Sequence, residues 1–151
     1  YGAGASGNTE ATSMAAQYTF SGVTVAYGMI DEEDAAYNPS VLSLSTKVGP
    51  FYLAYEKVDN QMVDLDGDAN AAEGDTLTAI GITYDYGQGK LFMEQNKFED
   101  LSATTYDETS VAYGATYNLG STVNFYVAVE DRKENNVEDD TSTTIGVTYA
   151  F

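Results

Sequence analysis

The chain has 151 residues, 24 Asp and Glu against 6 Lys and Arg, a net charge of −18, and no His, Cys or Trp. One domain over residues 1–151 is the expectation at this size, and 43% apolar residues argue against global disorder. The missing residue types exclude His triads, His metal sites, thiolate chemistry and disulfides; the charge repels nucleic-acid phosphates; and no apolar run approaches the roughly 18 residues of a transmembrane helix.

Period-2 alternation, the mark of a strand with two different faces, recurs in ten segments. In chain order these are Tyr1–Gly7, Thr12–Phe20, Val23–Ile30, Val41–Val48, Phe51–Val58, Leu77–Tyr86, Lys90–Phe98, Thr109–Leu119, Thr122–Glu130 and Ser142–Phe151. The segments are rich in Val, Thr, Tyr and Phe and are interrupted by Gly, which disfavours helix. The chain opens on Tyr1 in mid-pattern and without a leader, so a mature, processed or N-terminally incomplete chain is expected.

The connections alternate between two kinds. Tight ones fall at Ser21-Gly22, Gly49-Pro50, Gly87-Gln88-Gly89 and Gly120-Ser121, where Gly supplies the positive φ of a hairpin turn. Longer, acidic ones fall at Asn8–Ala11, Asp31–Ser40, Asp59–Thr76, Glu99–Glu108 and Asp131–Thr141. In an up-and-down meander all tight turns then lie at one end and all long loops at the other. On these boundaries 20 of the 24 acids belong to the loops, and only Glu56, Asp85, Glu94 and Glu130 lie in strands. The expected molecule is therefore strongly negative at one rim.

One face of the segments is apolar, as in Met14, Tyr18 and Phe20; Val23, Val25 and Tyr27; Ile80, Ile82 and Tyr84; Phe125, Val127 and Val129. The other is small and polar, as in Ser43 and Ser45; Ala79, Gly81 and Thr83; Ala112, Gly114 and Thr116. Lys90–Phe98 fits poorly, because Leu91 and Met93 face one way and Phe92 and Phe98 the other. A soluble sandwich would bury the apolar face against a second sheet. Against it stand the nearest-neighbour hairpins, the aromatics gathered beside the tight turns, and the long loops at a single end. Apolar-out, polar-in strands of about ten residues with this loop asymmetry predict a transmembrane antiparallel up-and-down β-barrel.

The last segment runs Ile145-x-Val147-x-Tyr149-x-Phe151. This ending resembles the C-terminal assembly signal of Gram-negative outer-membrane barrels. The stretches Gln17–Gly28 and Tyr113–Gly120 resemble the general-diffusion porins. The resemblance implies about ten strands from the C-terminal part of a 16-stranded barrel. It further implies a homotrimer in the bacterial outer membrane, with outer-membrane lipid, lipopolysaccharide and the barrel-assembly machinery as partners, long loops extracellular and short turns periplasmic. A complete ten-stranded barrel is the competing architecture, but its narrow interior must be filled by side chains, and the Gly, Ala, Ser and Thr of the polar face suit a wider, water-filled lumen.

Asp64, Asp66 and Asp68 place oxygen ligands at alternate positions, as a calcium loop does. Ala69 and Asp75 replace the Gly and Glu that an EF-hand requires, so a solvated acidic loop is expected, with at most loosely bound Ca²⁺ or Mg²⁺ and no cofactor. No catalytic pairing is evident, and no enzyme is expected. Lys47, Glu56, Asp85, Lys90, Glu94 and Glu130 are the expected lumen-facing charges. The reading is a channel for passive diffusion of small hydrophilic solutes and ions with mild cation preference. The alternative is a barrel that anchors acidic adhesive or receptor loops.

Overall fold

The computed structural model describes residues 11–32, 38–59, 76–99, 107–134 and 138–149. They form β1 (Ala11–Phe20), β2 (Val23–Glu32), β3 (Ser40–Val48), β4 (Phe51–Asp59), β5 (Thr76–Asp85), β6 (Gly89–Glu99), β7 (Asp107–Leu119), β8 (Val123–Glu134) and β9 (Glu138–Tyr149). The nine strands make one antiparallel sheet in chain order, each paired with its sequence neighbours. Among the described residues there is no helix, and β1 and β9 are the two edges of the sheet. The expected segment Tyr1–Gly7 lies outside the described residues.

Turn chemistry sets the register. Ser21 and Gly22 both have positive φ, 50° and 83°, between the paired residues Phe20 and Val23. Such a turn twists in the sense of the strands it joins. Gly49, Gly87 and Gly120 supply the same conformation at the other three tight connections.

Seven strands begin or end within two residues of the expected limits, but β8 and β9 run further. Asp131–Glu134 continues β8, and Glu138–Thr141 opens β9, leaving only residues 135–137 between them. β7 likewise takes in Asp107 and Glu108, β2 Asp31 and Glu32, β4 Asp59 and β6 Glu99. The expectation that 20 acids sit in loops is thus corrected: 11 of them stand on strand ends. The ladder is held by backbone hydrogen bonds and needs no apolar side chain, so strands continue past the apolar stretch wherever water can solvate the residues.

The two faces separate cleanly. Tyr55 pairs with Ile80, Ile82 with Met93, Met93 with Tyr113 and Tyr113 with Val129, so one face is apolar across the sheet. That face is uncovered: Phe20 is 70% and Ile145 79% exposed, whereas Phe98, on the opposite face, is the buried apolar side chain among the described residues. A soluble sandwich would bury this surface, so the structure rejects that alternative; only an apolar solvent suits it. Beside the tight turns the face carries Tyr18, Phe20, Tyr117 and Tyr149, together with Phe51 and Tyr84, whose ring centroids are 5.0 Å apart.

The apolar band crosses the sheet at a slant. Its upper limit is Met29 on β2, which pairs with Ser40, and Ile145 on β9, whose row leads back through Val127, Ala115, Leu91, Tyr84 and Phe51 to Val48. Ser40 and Val48 are eight residues apart on β3. The lower limit, from Val23 to Tyr149, drops by six on the same count. At about 3.3 Å per residue and about 4.8 Å per strand, this is a strand tilt of roughly 30–40°, close to that of membrane barrels.

Candidate functional site

The face opposite the apolar one is the candidate site. It is ribbed toward its middle, because the aromatics and three glutamates fall on alternate strands. β4 carries Tyr52 and Glu56, β6 carries Phe92 and Glu94, and β8 carries Tyr126 and Glu130. The strands between them present small residues: Ser43 and Ser45 on β3, Ala79 and Gly81 on β5, Ala112 and Gly114 on β7, and Ser142 and Gly146 on β9.

The slant brings the three glutamates to nearly one depth. Glu94 and Glu130 share a row through Ala112, and Glu56 stands one row higher, level with Asn96 through Ala79. The band falls about one residue per strand, so Glu56 and Glu94 lie at the same height and Glu130 about 5 Å above them. Neighbouring carboxylates are two strands apart, on the order of 10 Å, near the screening length of physiological salt, so their fields overlap along the wall.

All six charges expected from the sequence share this face. Lys47 pairs with Tyr52, Glu56 with Ser43 and Ala79, Glu94 with Gly81 and Ala112, and Glu130 with Ala112 and Ser142. Asp85 and Lys90 are register partners near the tight turns, and Asp85 Oδ1 accepts the Gly87 N–H at 2.8 Å. The mixed orientation of Lys90–Phe98 is resolved by pairing: Leu91 and Met93 join the apolar face, and Lys90, Phe92, Glu94 and Phe98 the polar one. The Asn96 side chain donates to Glu94 Oε1 at 3.0 Å and orients that carboxylate.

Sequence reasoning missed charges on the same face nearer the strand ends. Glu108, Arg132, Glu134 and Asp140 belong to it by register, and Arg132 donates to Glu108 Oε2 at 2.6 Å. Their signal was parity: Glu130, Arg132 and Glu134 continue the β8 alternation into what reads as a loop. An apolar row, Val41, Val58, Leu77 and Phe98, also crosses this face near the strand ends.

Two of these aromatic side chains, Phe92 and Tyr126, lie against glycines. A Cβ on Gly146 would meet the Tyr126 ring, and one on Gly114 would meet the Phe92 ring and the Val127 carbonyl. Glycine at these positions lets each ring fold onto the neighbouring strand, so the wall stays low. Between β3 and β6 the wall holds a hollow of about 310 Å³ lined by Ser43, Ser45, Tyr52, Glu56, Gly81 and Glu94.

Of the C-terminal pattern, Ile145, Val147 and Tyr149 occupy the apolar face, and Phe151 lies outside the described residues. The calcium candidates Asp64, Asp66 and Asp68 also lie outside them. Among the described residues no group of His, Asp and Glu has metal-binding geometry.

A family profile described as Gram-negative porin matches residues 2–151. A porin structure refined at 1.8 Å superposes with a TM-score of 0.71 and 23% identity, over 93% of this chain and 51% of that one. The likeness is one of fold, and the chain spans about half the length of that porin. No curated protein sequence matches the chain significantly.

Proposed function

The chain belongs to the Gram-negative porin family, and we propose that it forms part of the wall of a water-filled outer-membrane channel through which small hydrophilic ions and solutes diffuse passively. One observation carries this reading: a single tilted sheet leaves its apolar face uncovered and lines the other with small polar residues and spaced carboxylates. Lipid solvates the first face, and water and solute occupy the space before the second.

In the proposed barrel of about sixteen strands, Lys47, Glu56, Asp85, Lys90, Glu94 and Glu130 face the lumen. The level of Glu56, Glu94 and Glu130 gives the wall its dominant sign, so the channel prefers cations mildly. The acidic strand ends face the cell exterior and the tight turns the periplasm, with Asp64, Asp66 and Asp68 as the place for loosely bound Ca²⁺ or Mg²⁺. Ile145, Val147, Tyr149 and Phe151 serve as the assembly signal read by the barrel-assembly machinery, and a homotrimer is the assembled form.

Planar-bilayer recording of the full-length protein under a salt gradient tests the reading. Ohmic steps with a reversal potential of cation-selective sign are expected. A silent bilayer would favour an anchor for adhesive loops, and anion preference would overturn the role given to the glutamates.

A further inference from the structure

We propose that the hollow between β3 and β6 is a subsite for small organic ammonium ions, so that the wall selects by ligand chemistry as well as by charge. The proposal rests on the channel reading. Three kinds of residue line the hollow: the acids Glu56 and Glu94, the aromatic Tyr52, and the hydroxyl-bearing Ser43 and Ser45. Gly81, with the neighbouring Ala79, leaves its floor open and apolar.

Each group discriminates against a different competitor. The carboxylates repel anions and give a neutral solute nothing. The ring face and the floor favour a cation that carries its own methyl or methylene surface, because it meets them without shedding a tight hydration shell. A hydrated K⁺ gains only the field. The volume is at the small end of ligand pockets and suits a cation the size of an amino acid. The Asn96 amide holds the Glu94 carboxylate in place, so less side-chain freedom is lost on binding. Lys47, the register partner of Tyr52 on its turn side, opposes the bound charge. That shortens residence, as conduction requires.

Choline, its neutral isostere 3,3-dimethylbutan-1-ol, and K⁺ are the probes. Binding is read by titration calorimetry on the detergent-solubilised full-length protein, and passage by single-channel recording. Choline is expected to give heat and brief current interruptions, and the isostere neither. Tyr52→Leu weakens choline about three- to fivefold. Glu94→Gln weakens choline and lowers the reversal potential together, and Lys47→Gln tightens choline. Equal heats for choline and its isostere, or unchanged choline binding in both folded Tyr52→Leu and folded Glu94→Gln, would overturn the subsite. Choline binding without conductance would overturn the channel reading alone, and conductance without choline binding the subsite alone.

Discussion

Neighbouring residues of one strand live under opposite rules in this chain. On β5, Ile80 and Ile82 stand on the apolar face at 55% and 39% exposure, and Gly81 between them and Thr83 after them belong to the polar wall. The first face is built from bulk, because side-chain area is what lipid solvates. The second is built from small residues punctuated by carboxylates and by aromatics, two of them laid over glycine, which leaves open space before it. Both are specified by a single period of two, so a one-residue slip of register would exchange the apolar for the polar surface along a whole strand.

Moving the same charge by one residue tests this contrast most strongly. Ile82→Lys, near the middle of the apolar band, is expected to cost about 2–4 kcal/mol of stability, and Thr83→Lys less than about 1 kcal/mol. Equilibrium unfolding in lipid vesicles reads both, and equal costs would mean that the two faces meet the same solvent. Next comes packing on the wall. Gly146→Val drives a side chain into the Tyr126 ring and is expected to cost about 1–3 kcal/mol. In a Tyr126→Ala background most of that cost should disappear; a cost that persists would place the strain elsewhere in β9.

The glutamates should show the reverse behaviour, with function changing while stability does not. The triple variant Glu56→Gln, Glu94→Gln, Glu130→Gln is expected to stay within about 0.5 kcal/mol of the parent and to lose most of the cation-selective reversal potential. A selective channel that survives the triple substitution would move the selectivity to the strand ends. The smallest effect belongs to the exposed ion pairs Lys57–Asp59 and Lys97–Glu99, each 2.6 Å long and on the outer side above the apolar band. Lys97→Gln should leave the unfolding midpoint unchanged at low and high salt, because water and ions already screen the pair.

The strand core and the tight turns were legible residue by residue. Val23-x-Val25-x-Tyr27 and Ile145-x-Val147-x-Tyr149 announce a face, and Ser21-Gly22 announces a turn whose φ values allow nothing looser. Strand ends were not, because Asp131–Glu134 reads as a solvated loop by composition, although the backbone ladder is indifferent to it. Of the candidate site, parity gave six of the charged residues, with Lys90 and Glu94 in the one segment of mixed orientation, and Glu108, Arg132, Glu134 and Asp140 beyond the apolar stretch were missed. Their depth was hidden, since it depends on pairing partners up to four strands away.

The order of apolar and polar residues along each segment determined by itself that the chain is an all-β meander with a lipid-compatible face, because side-chain direction in a strand is a local property of the backbone. The tilt of the band, the nearly common depth of Glu56, Glu94 and Glu130, and the hollow that Tyr52 lines came only with the tertiary structure. Those are properties of register accumulated across strands, and no single strand contains the hydrogen bonds that fix them.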